Sequence, residues 1–430
     1  MKINIITLGC SKNIVDSEHI AGHLRKAGFQ LYFDRDRNDC DIVIVNTCGF
    51  IGDAKEESIN VLLEQIAVKE RGRKKRRLIA VGCLVERYKE ELRKELPEID
   101  AFYGVHQWGE LVRSLEAEFK DSLEAERMQS TPKHYAYLKI SEGCNRSCSY
   151  CAIPLIRGRH VSRPVDELVE EAKQMVAEGV KELIVIAQDT TYYGMDLYGE
   201  RKLGTLLSRL AEESGAQWIR LHYTYPASFP QDAIDAIARY DNICKYIDIP
   251  LQHINSGLLS AMRRGVDRKE TLELLDRFRS AIPDVAIRTT LIVGFPGETE
   301  KEFEELKEFV REARFSRMGV FAYSPEEGTP AFPLGDPVTE DEKQRRIDEI
   351  MEIQDDISMQ RNQSCVGKRY KVLVDRREGD YWIGRTQYDS PEVDDEVLIH
   401  DSGQNKLRAG QFCDVVVTDA LEHDLMANLL

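Results

Sequence analysis

No uninterrupted apolar run in this 430-residue sequence reaches the roughly 18 residues that a membrane-spanning helix needs. The opening residues, MKINIITLGC, end like a lipoprotein signal, but their apolar stretch is short and contains Asn4. We therefore expect a first β-strand there rather than an export signal. Both absences argue against a membrane or secreted protein, and we expect the chain in the reducing cytoplasm.

The sequence is also short of positive charge, with 59 lysines and arginines against 75 aspartates and glutamates, a net charge of −16. Such a chain repels nucleic acid unless a local patch compensates. One basic run, RGRKKRR at residues 71–77, is a candidate for such a patch. A solvated loop between a helix and a strand is the favoured explanation, and contact with ribosomal or transfer RNA stays the alternative.

The most informative motif lacks a fourth metal ligand. Residues 142–154 read EGCNRSCSYCAIP, so Cys144, Cys148 and Cys151 are spaced CxxxCxxC. A closed tetrahedral site needs four ligands, and zinc sites usually pair two CxxC hooks. The sequence has no second hook and no histidine pair nearby. In a reducing compartment, ten cysteines indicate metal binding or catalysis rather than disulfides.

Hydrophobic periodicity divides the chain into three predicted domains of an α/β protein. Residues 1–118 alternate short apolar runs with amphipathic helices, which predicts a parallel α/β domain. Residues 130–360 contain six strand candidates separated by helices, which predicts an open or partial (β/α)6 barrel. Residues 363–430 contain short β-rich runs between polar turns, which predicts a small antiparallel β-barrel of the OB type.

A second trio of cysteines lies in the first domain. Cys10, Cys48 and Cys83 each follow the apolar run of a different predicted strand, and each has a neighbouring glycine. The carboxyl ends of parallel strands meet at one sheet edge, where open α/β sheets bind their ligands. We therefore expect the three thiols to share one metal site. A structural zinc or buried thiols acting as small hydrophobes are the alternatives.

Three thiolates fit an iron–sulfur cubane that keeps one iron free of protein ligands. S-adenosylmethionine can chelate that iron, and its reductive cleavage yields a 5′-deoxyadenosyl radical that removes hydrogen from an unactivated carbon. With Tyr150 before the last cysteine, the CxxxCxYC loop resembles the signature of the radical S-adenosylmethionine superfamily. AQDTTYYG (187–194), VGFPGE (293–298) and AYSPEEGTPA (322–331) agree with that resemblance. The cofactor-binding residues it implies are Tyr150, Gln188, Asp189, Gly294 and Glu298.

The fragments TLGCSKN, VNTCGF and VGCL, placed before a radical core, are similar to the methylthiotransferase family. This resemblance spans the whole chain and implies a C-terminal barrel of the TRAM type for substrate recognition. It also implies two 4Fe-4S clusters, of which the accessory one on Cys10, Cys48 and Cys83 handles sulfur. One S-adenosylmethionine supplies a methyl group and another the radical. An electron donor such as a flavodoxin or ferredoxin, and a sulfur donor, follow as partners.

Two substrate classes share this chemistry, an adenosine in transfer RNA and an aspartate in a ribosomal protein. From Cys365 to Leu430 there are 8 lysines and arginines against 13 aspartates and glutamates, which suits a basic protein better than a phosphate backbone. IPLIRG (153–158), IDIPLQH (247–253) and IGRTQYDSPEVDDEVLI (383–399) are similar to the branch that modifies the twelfth small-subunit ribosomal protein. That similarity implies methylthiolation of an aspartate β-carbon in that protein, free or ribosome-associated.

Other classes of protein make different predictions. A two-cluster electron-transfer protein needs a fourth ligand for each cluster, and an RNA-binding redox sensor holds no iron.

Two further groups of residues have less specific expectations. Candidates for meeting a substrate carboxylate, or for facing solvent, are Arg157, Arg159, His160 and Arg163. Cysteines assigned to hydrophobic cores are Cys40, Cys244, Cys365 and Cys413.

Overall fold

A five-stranded parallel sheet forms the first part of the computed structural model, which describes residues 1–35, 39–72, 75–115, 127–401 and 407–430. The strand order is β2-β1-β3-β4-β5. The predicted parallel α/β domain is confirmed, although the short edge strands β2 and β5 were not among the expected strands. The elements are β1 (Lys2–Thr7), α1 (Ser11–Lys26), β2 (Gln30–Phe33), β3 (Ile42–Thr47), α2 (Gly52–Arg71), β4 (Arg77–Gly82), α3 (Cys83–Glu95), β5 (Ala101–Tyr103) and α4 (Trp108–Ser114).

The central part is a six-stranded partial barrel, as the sequence predicts. Two parallel three-stranded sheets, β6-β9-β10 and β11-β12-β13, are joined by a bridge between Ile219 and Ile243. Helices cover the outside. The elements are β6 (Tyr135–Lys139), β7 (Ser141–Glu142), α5 (Ile153–Arg157), β8 (Val161–Ser162), α6 (Val165–Ala177), β9 (Glu182–Ile186), α7 (Leu203–Glu213), β10 (Trp218–Leu221), α8 (Gln231–Arg239), β11 (Tyr246–Asp248), α9 (Ser256–Ala261), α10 (Arg268–Ala281), β12 (Ala286–Val293), α11 (Glu300–Ala313), β13 (Arg317–Ala322) and α12 (Glu340–Gln363).

The C-terminal part is a closed five-stranded barrel in the order β14-β15-β16-β18-β17. Its strands pair antiparallel except for β16 and β18, which run parallel. None of the helices in the described part of the chain is both long and apolar enough to cross a membrane. The strands are β14 (Arg369–Glu378), β15 (Tyr381–Arg385), β16 (Val397–His400), β17 (Phe412–Ala420) and β18 (Leu425–Leu429).

Helix α1 packs against the inner face of the partial barrel. Its residues Ile14 and Val15 share an apolar cluster with Tyr137 of β6 and Ile186 of β9. Because that face belongs to an open barrel, it would otherwise be exposed to water. The helix is therefore buried over most of its length, including its polar residues Asp16 and Glu18.

The loop between β15 and β16, residues 386–396, contacts the first residues of β11 and β13 and the residue that follows β10. We call this segment the plug loop. Ser390 Oγ lies 2.9 Å from His222 Nε2, and Asp394 Oδ2 accepts a 2.7 Å hydrogen bond from Tyr246. Asp389 pairs with Arg317 at 2.5 Å. The acidic side chains of this loop are thus used to join the two barrels.

Arg385, at the end of β15, is the most heavily paired cation of this interface. Its side chain is 1% exposed and lies 2.8 Å from Glu182 and 2.6 Å from Asp375. Removing Arg385 leaves two largely buried carboxylates with less compensation. Among the described residues, Glu182 then has only Arg220 as a cationic partner, and Asp375 has only His134. We therefore expect Arg385→Ala to lower the free energy of unfolding by about 3–5 kcal/mol, measured by urea unfolding.

The matched control is Arg376→Ala in the same barrel. Arg376 is also bonded to a carboxylate, Glu396, at 2.6 Å, but its side chain is 44% exposed. We expect a loss below about 1 kcal/mol for this variant, because water screens an exposed pair. If Arg385→Ala and Arg376→Ala lost the same free energy of unfolding, burial of the Arg385 ion pairs would add nothing to stability.

Candidate functional site

The cysteine trio of the first domain lies at one edge of its sheet. Cys10, Cys48 and Cys83 follow β1, β3 and β4, which are neighbours in the sheet. The structure therefore confirms the predicted placement. Cys10 precedes the first residue of α1, and Cys83 is the first residue of α3. Both cysteines therefore lie at the N-terminus of a helix.

The glycines beside these cysteines allow the three loops to approach one another. A Cβ added to Gly9 would lie 2.8 Å from Cys48 Sγ, and one added to Gly49 would lie 2.7 Å from the backbone nitrogen of Leu84. Gly82 adopts φ +97°, and a Cβ there would meet the Thr47 carbonyl oxygen at 2.6 Å. Side chains at these positions would force the cysteine loops apart.

The CxxxCxxC loop is fixed at its base and at its tip. At the base, β7 pairs with β8, and the Cys144 amide donates to the Gly158 carbonyl at 3.1 Å. At the tip, the Ser149 amide donates to the Met262 carbonyl at 3.0 Å. A loop held at both ends keeps its three thiols in a defined arrangement.

Arg264 lies buried against this loop. Its guanidinium donates to Cys148 Sγ at 3.4 Å and to the Tyr150 hydroxyl at 3.2 Å. Tyr225 Oη also lies 3.5 Å from Cys148 Sγ. Hydrogen bonds to a ligand sulfur raise the reduction potential of a cluster. Tyr150 therefore supports the loop through Arg264, and its predicted contact with the cofactor stays a prediction.

Burial disfavours the free thiolate at Cys83 in the first trio and at Cys144 and Cys151 in the second. It raises the pKa of Cys83 and of Cys144 to about 12, and it raises the pKa of Cys151 further. The neighbouring thiols of the same trio contribute to each shift. Thiolates in such places need a compensating positive charge, which the iron of a bound cluster would provide.

The spacing of the thiols distinguishes a cluster from a single metal ion. Among the described residues, the group of three potential ligands whose atoms all lie within 4.8 Å is Asp355, Glu422 and His423, and neither cysteine trio is that compact. Zinc–sulfur bonds of about 2.3 Å place tetrahedral ligands roughly 3.8 Å apart. The wider spacing disfavours the structural-zinc alternative and fits thiolates that bind different irons of one cluster.

The two trios are neighbours across the domain boundary. Cys83 packs in one apolar cluster with Ala152 and Ile156, and Ala152 directly follows Cys151. Arg157, at the end of α5, donates to Cys83 Sγ at 3.3 Å and to Asp16 of α1 at 2.5 Å. These contacts fix the accessory trio against the CxxxCxxC loop.

Of the four residues expected to meet a carboxylate or solvent, only Arg159 is exposed. Arg157 is committed to the network of Asp16 and Cys83 described above, and Arg163 pairs with Glu171 at 2.6 Å. His160 lies 3.0 Å from Ser162 Oγ. Solvent exposure is therefore correct for Arg159, while the other three side chains have structural partners.

Gln188 and Asp189 follow β9 at the carboxyl ends of the barrel strands. Gln188 donates to Glu142 at 2.5 Å, and its side-chain oxygen is buried without a partner among the described residues. Asp189 accepts a 2.6 Å hydrogen bond from Arg146. The side-chain oxygen of Gln188 thus remains available as a hydrogen-bond acceptor at the carboxyl ends of the barrel strands. Asp189 instead orients Arg146.

Gly294 and Glu298 form the turn after β12. The Glu298 carboxylate accepts hydrogen bonds from the amides of Gly294 at 2.5 Å and Phe295 at 3.2 Å. Burial raises the pKa of Glu298 to about 7, although Arg346 lies 3.2 Å away. Gly294 adopts φ +77°, and the stem of Lys343 occupies the place of a side chain. Both residues shape the turn, and their contact with a cofactor stays a prediction.

The segment 322–331 after β13 joins the barrel to the Cys48 loop. Glu326 pairs with Arg87 at 2.6 Å and Lys55 at 2.9 Å, and Arg87 also donates to the Gly49 carbonyl at 3.1 Å.

Sequence patterns gave no sign of Arg87, Arg146 or Arg264, because their partners are distant in sequence. Of the cysteines assigned to cores, Cys40 and Cys244 are buried, and Cys365 and Cys413 are half-buried.

Family models match three parts of the chain. The radical SAM superfamily model matches residues 138–310, the uncharacterised protein family UPF0004 matches residues 2–104, and the TRAM domain matches residues 366–430. Ribosomal protein uS12 methylthiotransferase RimO of Phocaeicola vulgatus is 53% identical, over 100% of this chain and 99% of that protein. RimO of Flavobacterium johnsoniae is 51% identical, over 99% of this chain and 97% of that protein.

The chain belongs to the RimO family of radical SAM enzymes. Among solved structures, the radical S-adenosylmethionine methyltransferase TsrM of Kitasatospora setae shares the fold with TM-score 0.58 and 14% identity, over 77% of each chain. The predicted fold class, TRAM barrel, methylthiotransferase class and iron–sulfur and S-adenosylmethionine chemistry are therefore confirmed. RimO-family membership also favours the enzyme reading over an electron carrier or a redox sensor.

Proposed function

We propose that this chain replaces a hydrogen on the β-carbon of an aspartate in ribosomal protein uS12 with a methylthio group. The observation that carries this proposal is the 53% identity to a uS12 methylthiotransferase over the entire chain. The two adjacent, incomplete cysteine trios support it, because the reaction needs one site for the radical and one for sulfur.

In this proposal Cys144, Cys148 and Cys151 hold one 4Fe-4S cluster, and Cys10, Cys48 and Cys83 hold the second. With S-adenosylmethionine bound, the clusters supply a 5′-deoxyadenosyl radical and a methylated sulfur. Arg264 and Arg157 each donate a hydrogen bond to a cysteine sulfur of one trio, at 3.4 Å and 3.3 Å. Burial of α1 against the open barrel excludes water from the inner face of β6 and β9.

We assign residues 1–118 to the accessory cluster, 130–360 to radical formation and 363–430 to substrate recognition. A flavodoxin or ferredoxin as electron donor, a separate sulfur donor and a cytoplasmic location complete the proposal. uS12 is modified either free or within the ribosome.

The composition of the C-terminal barrel predicts an acidic surface that would suit a basic substrate protein. The described part of the barrel does not show such a surface. Asp375, Asp389, Asp394 and Asp395 are engaged in ion pairs at the interface between the barrels. Among the described residues after Cys365, six acidic and six basic side chains are exposed. The acidic excess is therefore buried, and the substrate choice depends on the family relationship.

The basic run gives little support to the transfer RNA alternative. Its residues 73 and 74 lie outside the described residues. The remainder connects α2 to the start of β4, whereas Cys83 follows the end of that strand. A six-residue strand separates them by about 20 Å. The run therefore lies at the sheet edge opposite the accessory trio.

Mass spectrometry of the substrates tests the function. Reconstituted enzyme is incubated anaerobically with S-adenosylmethionine, a reductant and a sulfide source, together with uS12 or with transfer RNA. We expect the mass of uS12 to increase by one methylthio group in place of one hydrogen, localised to an aspartate. A gain on RNA alone would contradict the proposal.

A further inference from the structure

Lys12 is a buried lysine beside the cysteine trio of the first domain. It lies in the first turn of α1, two residues after Cys10, and is 6% exposed. Its Nζ lies over the ring of Tyr223, which follows β10 at the carboxyl ends of the barrel strands. The side chain therefore starts beside the accessory trio, and its amine lies at the carboxyl ends of the barrel strands.

The Tyr223 ring is held in position from both domains. The Tyr223 backbone has φ +56°, and its amide donates to Asp248 Oδ2 at 2.8 Å. Its hydroxyl lies 3.3 Å from Ser11 Oγ of α1. The aromatic face on which the Lys12 amine rests is thus a fixed surface.

Lys12 differs from the other buried lysines in having no carboxylate partner. Lys139 pairs with Asp16 and Glu142, at 2.5 Å and 2.9 Å. Lys343 likewise pairs with two carboxylates, those of Asp336 and Glu340. In the described part of the chain, Lys12 Nζ makes no hydrogen bond or ion pair, only the contact with Tyr223.

Two carboxylates act on the Lys12 amine, Asp248 and Glu142, and both are already engaged with other cations. Glu142 binds Lys139 and Arg157, and Asp248 binds Arg288 at 3.1 Å.

Cys10, two residues away, is the strongest opposite charge acting on the Lys12 amine, yet among the described residues the amine has no hydrogen-bond acceptor. Burying the donors of an amine without an acceptor is costly, and an aromatic face compensates only part of that cost. The arrangement therefore leaves a position for a carboxylate acceptor that arrives from outside the chain.

We propose that the Lys12 amine, held on the Tyr223 ring, binds the side-chain carboxylate of the substrate aspartate. This inference rests on the proposed function and adds the residue that recognises the substrate side chain. The β-carbon of an aspartate is bonded to its carboxylate carbon. Fixing the carboxylate at Lys12 therefore holds the reacting carbon beside Cys10, at the carboxyl ends of the barrel strands. Neutral side chains of the same shape are rejected for lack of charge.

A double-mutant cycle tests this inference. Full-length enzyme carrying both clusters is compared with Lys12→Met, each binding uS12 with its natural target aspartate or with that residue changed to asparagine. We expect the natural enzyme to bind the aspartate form about tenfold more tightly than the asparagine form. Lys12→Met should bind both forms with equal affinity. Lys12→Arg, which keeps the charge, should restore part of the preference.

Lys94→Met provides the matched control, because Lys94 lies in the same domain with its side chain 83% exposed. We expect it to keep the full preference for aspartate. Iron content and visible absorption of each variant show that both clusters are present. If Lys12→Met keeps the natural preference, or shifts the accessory-cluster potential with that preference unchanged, Lys12 serves the cluster and the inference is wrong.

The same samples separate this inference from the proposed function. Methylthiolated uS12 from the natural enzyme, without any preference for aspartate over asparagine in binding, contradicts the role of Lys12 alone. Absence of methylthiolated uS12 from the natural enzyme contradicts the proposed function itself.

Discussion

Replacing Cys144, Cys148 and Cys151 together by alanine will abolish the formation of 5′-deoxyadenosine and leave about four irons per chain. The reason lies in the geometry of the loop, which is fixed at its base by β7 and β8 and offers no other thiol. Anaerobic reconstitution, iron analysis and chromatography of the nucleoside product measure both effects. The expected loss of radical formation is complete, because no described side chain replaces the missing ligands.

The matched control is the triple variant of Cys40, Cys365 and Cys413, which removes the same number of thiols. Cys40 lies in an apolar core, and the other two pack against the C-terminal barrel core. We expect this variant to keep about eight irons and to form 5′-deoxyadenosine. Product formation by the Cys144, Cys148 and Cys151 variant would refute the assigned role of the loop.

Local sequence patterns predicted the elements that carry the cysteines, because those elements are strongly periodic. All six strands expected in the central barrel are present, and β1, β3 and β4 deliver their cysteines to one sheet edge. The edge strands β2 and β5 were not expected, since β5 has only three residues and β2 is only half-buried. Such strands are defined by their neighbours in the sheet rather than by their own composition.

The interfaces between the domains could not be predicted in the same way. Arg157 contacts Asp16 and Cys83, which are separated from it by 141 and 74 residues. The plug loop shows the same limit, because net charge counts Asp389 and Asp394 without showing that both are paired. Composition reports how many charges a domain contains, whereas the fold decides which of them face a partner.

The site is formed by these unpredicted contacts as much as by the cysteines. Arg157 connects α5 of the barrel with α1 and with Cys83. Arg87 connects the Cys48 loop with Glu326 of the segment after β13. Both arginines join the two halves of the site, so the distance between the trios is set by the packing of whole domains.

Replacing Cys10, Cys48 and Cys83 by alanine will leave radical formation intact and abolish methylthiolation of uS12. The CxxxCxxC loop keeps its own contacts with β8 and Met262, which do not involve the accessory trio. We therefore expect about four irons per chain, formation of 5′-deoxyadenosine and no methylthio product. The two readouts are measured on one sample by chromatography and by mass spectrometry of uS12.

The comparison of the two triple variants is decisive because each should lose a different function while keeping the same number of irons. Loss of radical formation in the Cys10, Cys48 and Cys83 variant would mean that the domains act as one unit through Arg157. Arg157→Lys then distinguishes the cases, because it keeps the charge beside Asp16 but changes the contact with Cys83. A methylthio product from the cysteine variant would instead show that sulfur is delivered without the accessory trio.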